Sequence, residues 1–243
     1  MSFNRNKQNI IKSIRQAKEM GATFRVGPEL EISGYGCEDH FFEIDTVRHS
    51  WSVLHDILAD PSLTKDILCD IGMPVLHKNS LYNCRILCLN QRIHLIRPKC
   101  YLAGGNNYRE GRWFTAWRKQ ELEEFVLDPQ IQSIIGQETT PIGNAIIQCR
   151  DTAIACEICE EIWAPKNLHV DYGLDGVEII SNASGSHHEL RKLGTRYELI
   201  ENASRRNGGV YLYSNLKGCD GGRILFDGAS LTCLNGKIIN QMP

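Results

Sequence analysis

Apolar residues recur at helical spacing near the start of the chain. Ile10, Ile11, Ile14 and Ala17 fall on one face, and Gly21 follows as a stop, which predicts a helix over 4–20. TFRVGPELEI, at 23–32, lacks that period and reads as a buried strand ending at Gly27-Pro28. Val47, Trp51, Leu54 and Leu58 mark a second helix. Apolar runs at 67–76, 82–89 and 92–97, separated by HKNS and NQ, predict strands joined by short turns. A long, mostly polar stretch comes next, and NAIIQCRDTAIACEI at 144–158 then predicts two more strands. DGVEIISNAS, at 175–184, is a continuous apolar run of the kind a strand covered on both faces needs. Residues 187–206 read as helix and GGVYLYSNL as strand, with NGG at 207–209 as the helix stop. ILFDGASLTCLNGKIINQ, at 224–241, predicts a hairpin turning at Asn235-Gly236. Strands alternate with helices and hairpins are mixed in, so the expectation is an α/β fold with mixed sheets packed as a layered sandwich.

Length and charge narrow the classes. The 243 residues suffice for one large domain with a substantial core, and no repeat, low-complexity tract or Pro/Gly-rich linker divides them. With 23% charged residues and a formal net charge of -2, no polyanion-binding surface is indicated, which argues against nucleic acid as a partner. No run approaches the ~18 apolar residues of a membrane span, and MSFNRNKQNI has no signal-peptide apolar core. A soluble, cytoplasmic protein is expected.

Ten cysteines lie mostly inside apolar runs such as ILCDIG and NCRILCLN, a placement that suits small buried residues better than a disulfide framework. Only Cys156 and Cys159, in ACEICEEIW, are closely spaced. A zinc clip needs a second pair, and the adjacent His187-His188 is poorly arranged to supply it. A redox pair needs positive surroundings, which Glu157, Glu160 and Glu161 oppose. The three carboxylates cannot all be buried and charged, so some must face a pocket or a cationic partner. A nucleophile remains. Glu29, Lys99 and Cys159 each follow an apolar strand, and ligands of open α/β sheets gather where strands end. Together they would form a hydrolytic set, with a carboxylate to move the thiol proton and an ammonium to hold the oxyanion. Taken singly, each also fits a plain role as turn residue, surface charge or buried thiol.

GPELEISGYG, RPKCYL and EICEEIW resemble the signature stretches of the nitrilase, or carbon–nitrogen hydrolase, superfamily. Over nearly the whole chain, GPELEISGYGCEDH, NYREGRWFTAW, EICEEIWAP, GLDGVEIISNASGSHHELRK and LKGCDGGRILFDG are similar to the glutaminase domain of eukaryotic-type glutamine-dependent NAD synthetases. The resemblance implies a four-layer αββα sandwich. It makes Glu29 the general base, Lys99 the oxyanion stabiliser, Cys159 the nucleophile and Glu110 the carboxylate that orients the lysine. It also places Tyr35, Ser186 and Glu160, the last through its backbone N–H, at the substrate. Arg191 and Lys192 compete for a basic contact beyond Ser186, with Lys192 preferred.

The implied substrate is glutamine, the implied partner a synthetase domain in the same or another chain, and the implied assembly a homo-oligomer. The glutaminase step needs no cofactor or metal; ATP and Mg belong to the synthetase domain, whose Ser-Gly-Gly-x-Asp-Ser loop does not occur in these residues. The superfamily begins with a strand ahead of the first helix, and this chain starts at the helix, so the sandwich is expected to lack that strand. A stand-alone amidase acting on another small amide and a non-catalytic scaffold are the competing readings.

Overall fold

The computed structural model describes residues 1–105 and 107–242. Its first sheet contains β1 (Phe24–Val26), β2 (Leu68–His77), β3 (Ser80–Leu89), β4 (Arg92–Pro98), β5 (Glu123–Val126) and β6 (Thr139–Ile142), in the order β1-β2-β3-β4-β6-β5. β2, β3 and β4 form an antiparallel meander. Both of its turns have left-handed backbones, at Lys78-Asn79 and Asn90-Gln91, which match the twist of tight hairpins. β1 runs parallel to β2 and is an edge strand among the described residues.

The second sheet takes β7 (Ile147–Gln148), β8 (Ala153–Ile158), β9 (Ile179–Ser184) and β10 (Val210–Asn215). After a separate small hairpin of β11 (Lys217–Cys219) and β12 (Leu225–Asp227), β13 (Leu231–Leu234) and β14 (Lys237–Gln241) complete it, in the order β14-β13-β10-β9-β8-β7. β8, β9 and β10 are parallel, as crossovers through helices require.

Helices cover the outer faces. α1 (Phe3–Glu19) and α2 (Ile44–Ala59) lie over the first sheet, with the short α3 (Pro61–Thr64) beside them. α4 (Glu110–Trp113) is a single turn near the site, and α5 (Pro129–Ile135) packs on α2. α6 (Leu168–Leu174) and α7 (Lys192–Asn207) cover the second sheet. The result is helix, sheet, sheet, helix. Strand alternation explains the layering: on β2, Cys69, Ile71, Met73 and Val75 join Leu54, Ile57 and Leu58 of α2 in one apolar cluster. Leu68 points the other way and meets Leu87, Leu95, Ile154 and Cys156 between the sheets. Both faces are covered, so β2 is buried along almost its whole length and is mostly apolar, with Asp70 as the charged exception.

Several expectations change. Helix α7 starts at Lys192, not 187, because His187 bridges to Phe226 and Arg191 has φ +70, outside helical geometry. The stretch 224–241 is not one hairpin: its first part pairs as β12 with β11, and positive φ at Gly228 and Ala229 breaks the run before β13. The Asn235-Gly236 turn stands, with both residues at positive φ. The polar stretch hides β5, α5 and β6, which pack through few apolar side chains.

Candidate active site

The face of the first sheet that looks across at the second is apolar at one end and polar at the other. Asp70 on β2, Asn83 and Arg85 on β3 and Arg97 on β4 are all fully buried there. Buried polar groups need partners, and these supply them to the loops at the strand ends. Arg85 binds Asp70 at 2.6 Å and donates to the carbonyls of Pro28 (2.7 Å) and Gly27 (2.7 Å). That pins the chain just before Glu29. Leu30, just after it, has φ +48, and the Glu29 N–H donates across the sheets to Ser184 O at 3.3 Å.

Glu29 therefore projects inward with no exposed surface. Its Oε1 accepts from Lys99 Nζ at 2.6 Å and Asn83 Nδ2 at 2.7 Å, and its Oε2 accepts from the Gly185 N–H at 3.0 Å. Lys99 also donates to Glu110 Oε1 at 2.7 Å. Glu110 is held in turn by the Tyr35 hydroxyl (2.5 Å) and the Ala103 N–H (3.0 Å). Burial opposes charge on Lys99, but Glu110 and Glu29 outweigh it and hold the ammonium well above its ordinary pKa. Burial also lifts Glu29 to about 7 against the pull of Lys99, with Glu110 adding to the rise. One cation thus serves two carboxylates, and a carboxyl lifted as Glu29 is can exchange a proton near neutrality.

Cys159 ends β8 and opens a short turn over Cys159–Ile162. Its φ is +43, a left-handed backbone that costs a non-glycine residue of order 1 kcal/mol and occurs preferentially at functional sites. Burial, with Glu29 adding and Lys99 opposing, pushes its thiol up to about 12. A thiol lifted this far is protonated near neutral pH and would have to lose its proton for the sulfur to act as a nucleophile. Cys156 is a buried strand residue whose thiol meets Ser181 Oγ at 3.2 Å, and both cysteines are free. The CxxC spacing is thus a strand residue followed by a turn residue.

The three glutamates separate cleanly. Glu157 is buried and accepts from the His169 N–H at 2.8 Å and Tyr211 at 2.5 Å. Its burial raises the pKa, but His169 prevails and the net shift is downward. Glu161 pairs with Arg97 at 2.6 Å. Glu160 is half-buried and raised by burial.

Glu160 lines a cavity of about 420 Å³ together with Cys159, Tyr108, Trp163, Ser186 and Lys192. Ser186 Oγ is buried with no hydrogen-bond partner of good geometry among the described residues, although it lies near enough to the Tyr213 hydroxyl to act on it. Both Arg191 and Lys192 reach this cavity, but Lys192 is the better placed. Its Nζ lies 2.9 Å from His187 Nδ1 and 5.5 Å from the Trp163 ring centre, and burial lowers its pKa. Arg191 is exposed. The Tyr35 hydroxyl donates to Glu110 and its ring lies edge-on to Tyr108, while its outer side borders a neighbouring cavity.

Sequence reasoning missed Asn83, Tyr108 and Gly185. Asn83 was detectable as an amide inside an apolar strand. Tyr108 donates to Gly185 O at 2.8 Å and accepts from the His187 N–H at 2.9 Å, shaping the loop over the thiol. Gly185 lies so close that a Cβ there would be 2.9 Å from the Tyr35 ring and 3.2 Å from Glu29 Oε2.

Known proteins share this arrangement of chain. The family model described as carbon-nitrogen hydrolase matches residues 1–243. A glutamine-dependent NAD(+) synthetase of Dictyostelium discoideum is 56% identical over 242 residues, covering 99% of this chain and 34% of its own length. The human protein of that name is 52% identical with the same coverage. The chain thus spans about a third of these relatives. Among solved structures, a glutamine-dependent NAD(+) synthetase from Cytophaga hutchinsonii superposes with a TM-score of 0.86 at 30% identity, covering 98% of this chain and 38% of that one. An amidase from Nesterenkonia sp. has the same fold, with a TM-score of 0.76 at 16% identity, and here 98% of this chain aligns with 80% of the other. The sandwich, the buried Glu-Lys-Glu cluster and the cysteine at the strand end accompany a match along the entire sequence, and the chain belongs to the carbon–nitrogen hydrolase family.

Proposed function

We propose that this chain hydrolyses the side-chain amide of glutamine and that the ammonia serves glutamine-dependent NAD synthesis. The observation that carries the reading is the Glu29–Lys99–Glu110 cluster buried beneath a cavity that contains Cys159. Lys99 neutralises charge there, and Glu29 exchanges a proton near pH 7.

In the first half-reaction the Cys159 sulfur bonds to the amide carbon while its proton passes to Glu29. The carbonyl π electrons move to oxygen, where the Lys99 ammonium and the Glu160 N–H hold the charge. Glu29 returns the proton to nitrogen, the C–N bond breaks and ammonia leaves a thioester. In the second half a water gives its proton to Glu29 and attacks the thioester. The C–S bond then breaks and the proton goes back to sulfur, releasing glutamate. Glu110 acts by holding Lys99, and Tyr35 by holding Glu110.

The cavity mouth favours an amino acid over a neutral amide. Glu160 and Lys192 offer opposite charges suited to an ammonium and a carboxylate, and Ser186 adds a hydroxyl to the lining. The synthetase domain, with its ATP and Mg, would act in the same longer chain or as a separate partner, in a cytoplasmic oligomer. Ammonia release from glutamine tests the proposal: the chain is expected to be active and Cys159→Ala inactive. Activity on small neutral amides but not glutamine would favour the amidase reading, and a folded chain with neither activity would leave a scaffold.

A further inference from the structure

Lys99 and Cys159 stand on different sheets, β4 and β8 respectively leading into them, so their separation is a property of how the sheets dock. One side chain touches both strand ends. Glu161 Oε2 accepts from the N–H of Ile158, immediately before Cys159, at 2.6 Å. Its Oε1 accepts from the N–H of Cys100, immediately after Lys99, at 2.5 Å. Arg97, two residues before Lys99, donates from Nη1 to the same carboxylate at 2.7 Å. Arg97 Nη2 reaches the Tyr172 hydroxyl at 3.2 Å, and that hydroxyl donates to Asn144. Glu161 and Arg97 have no exposed surface.

A buried ion pair is a poor source of stability against an apolar replacement, so its presence asks for another reason. Charge-assisted bonds to both flanking amides leave the carboxylate little freedom to move. We propose that Glu161 is a positioning residue that sets the distance between Lys99 and Cys159 by stapling the backbone on either side of the site. The inference rests on the hydrolase reading of that site, and it adds a role that the reaction scheme above does not use.

The test compares Glu161→Asp and Glu161→Gln with the unsubstituted chain. Aspartate keeps the charge for Arg97 but is one methylene too short to meet both amides. Glutamine keeps the length but has one acceptor oxygen where two are needed. If Glu161 only neutralised Arg97, aspartate would behave like the unsubstituted chain. The staple predicts that kcat for ammonia release falls about 100-fold in both variants, the scale of an ~1 Å misplacement, with KM for glutamine within about twofold.

Carbamidomethylation of Cys159 by iodoacetamide at fixed pH, followed on its own peptide by mass spectrometry, gives a readout free of the substrate. It should slow about tenfold, the equivalent of one pKa unit in thiolate population. A folded Glu161→Asp chain that alkylates and turns over at the unsubstituted rate overturns the proposal. Should both single variants fail to fold, Arg97→Met/Glu161→Gln removes the pair together and must show the same slow alkylation; a normal rate there overturns it too. Absence of ammonia from the unsubstituted chain would refute glutamine as substrate, while the alkylation rates would still decide on Glu161.

Discussion

Glu29 and Glu110 share one ammonium, yet their surroundings differ. Glu110 has a tyrosine hydroxyl and a backbone N–H besides Lys99; Glu29 has an amide side chain and the Gly185 N–H. With Glu29 lifted to about 7, the group must be ionised to accept the thiol proton. Hydrolysis is therefore expected to rise with pH through an acid limb centred near 7 and to be lost below it. Glu29→Gln should remove turnover while leaving a folded chain; a pH–rate profile and circular dichroism check both. Lys99→Met removes the charge aimed at the oxyanion, and a kcat loss of roughly 10²–10³, about 3–4 kcal/mol of barrier, is expected from steady-state ammonia assays. That variant also leaves two buried carboxylates without their cation, so proton uptake by one of them should accompany it. At this scale the residue types were legible. Their grouping was not, because Glu29 and Lys99 are 70 positions apart yet in contact at 2.6 Å.

Elements place these residues through tight backbone approaches. Gly72 on β2 is one: a Cβ there would lie 2.3 Å from Arg85 Nη1 and 2.6 Å from the Leu30 backbone nitrogen. Gly72→Ala should push Arg85 off the Gly27 and Pro28 carbonyls, displacing Glu29. A loss of about 1–3 kcal/mol in urea unfolding is expected, together with reduced kcat. Gly236 gives the contrast. It has φ +78 in the β13–β14 turn, remote from the site, and a Cβ would meet the Arg205 side chain at 2.6 Å. Gly236→Ala should cost about 1 kcal/mol of stability and leave turnover unchanged. The meander and this turn were readable from local pattern because their signals lie within a few residues. The start of α7 was not, since His187 leaves the helix for a pairing with Phe226 far along the chain.

The main apolar cluster runs through both sheets and their helices, from Ile10 to Cys233. Trp117 belongs to it and Trp51 and Trp163 pack against it, so tryptophan fluorescence and far-ultraviolet circular dichroism are expected to report coincident unfolding transitions. A fluorescence change that precedes loss of secondary structure would show that the layers separate independently. No helix among the described residues is long and apolar enough to cross a membrane, as the hydropathy pattern indicated. Local periodicity determined most strands, the three long helices α1, α2 and α7, several turns between them and the layered class, because burial on one face or two leaves its mark in neighbouring residues; the short helices α3 to α6 left no such mark. Family motifs carried Glu29, Lys99, Glu110 and Cys159 as candidates. What only the tertiary structure decided was which carboxylate does what. Glu157 turns to His169, Glu160 to the cavity and Glu161 to the two strand ends, although all three sit within one short stretch. Side-chain direction at a strand end depends on the sheet docked opposite, and no short window of sequence contains that sheet.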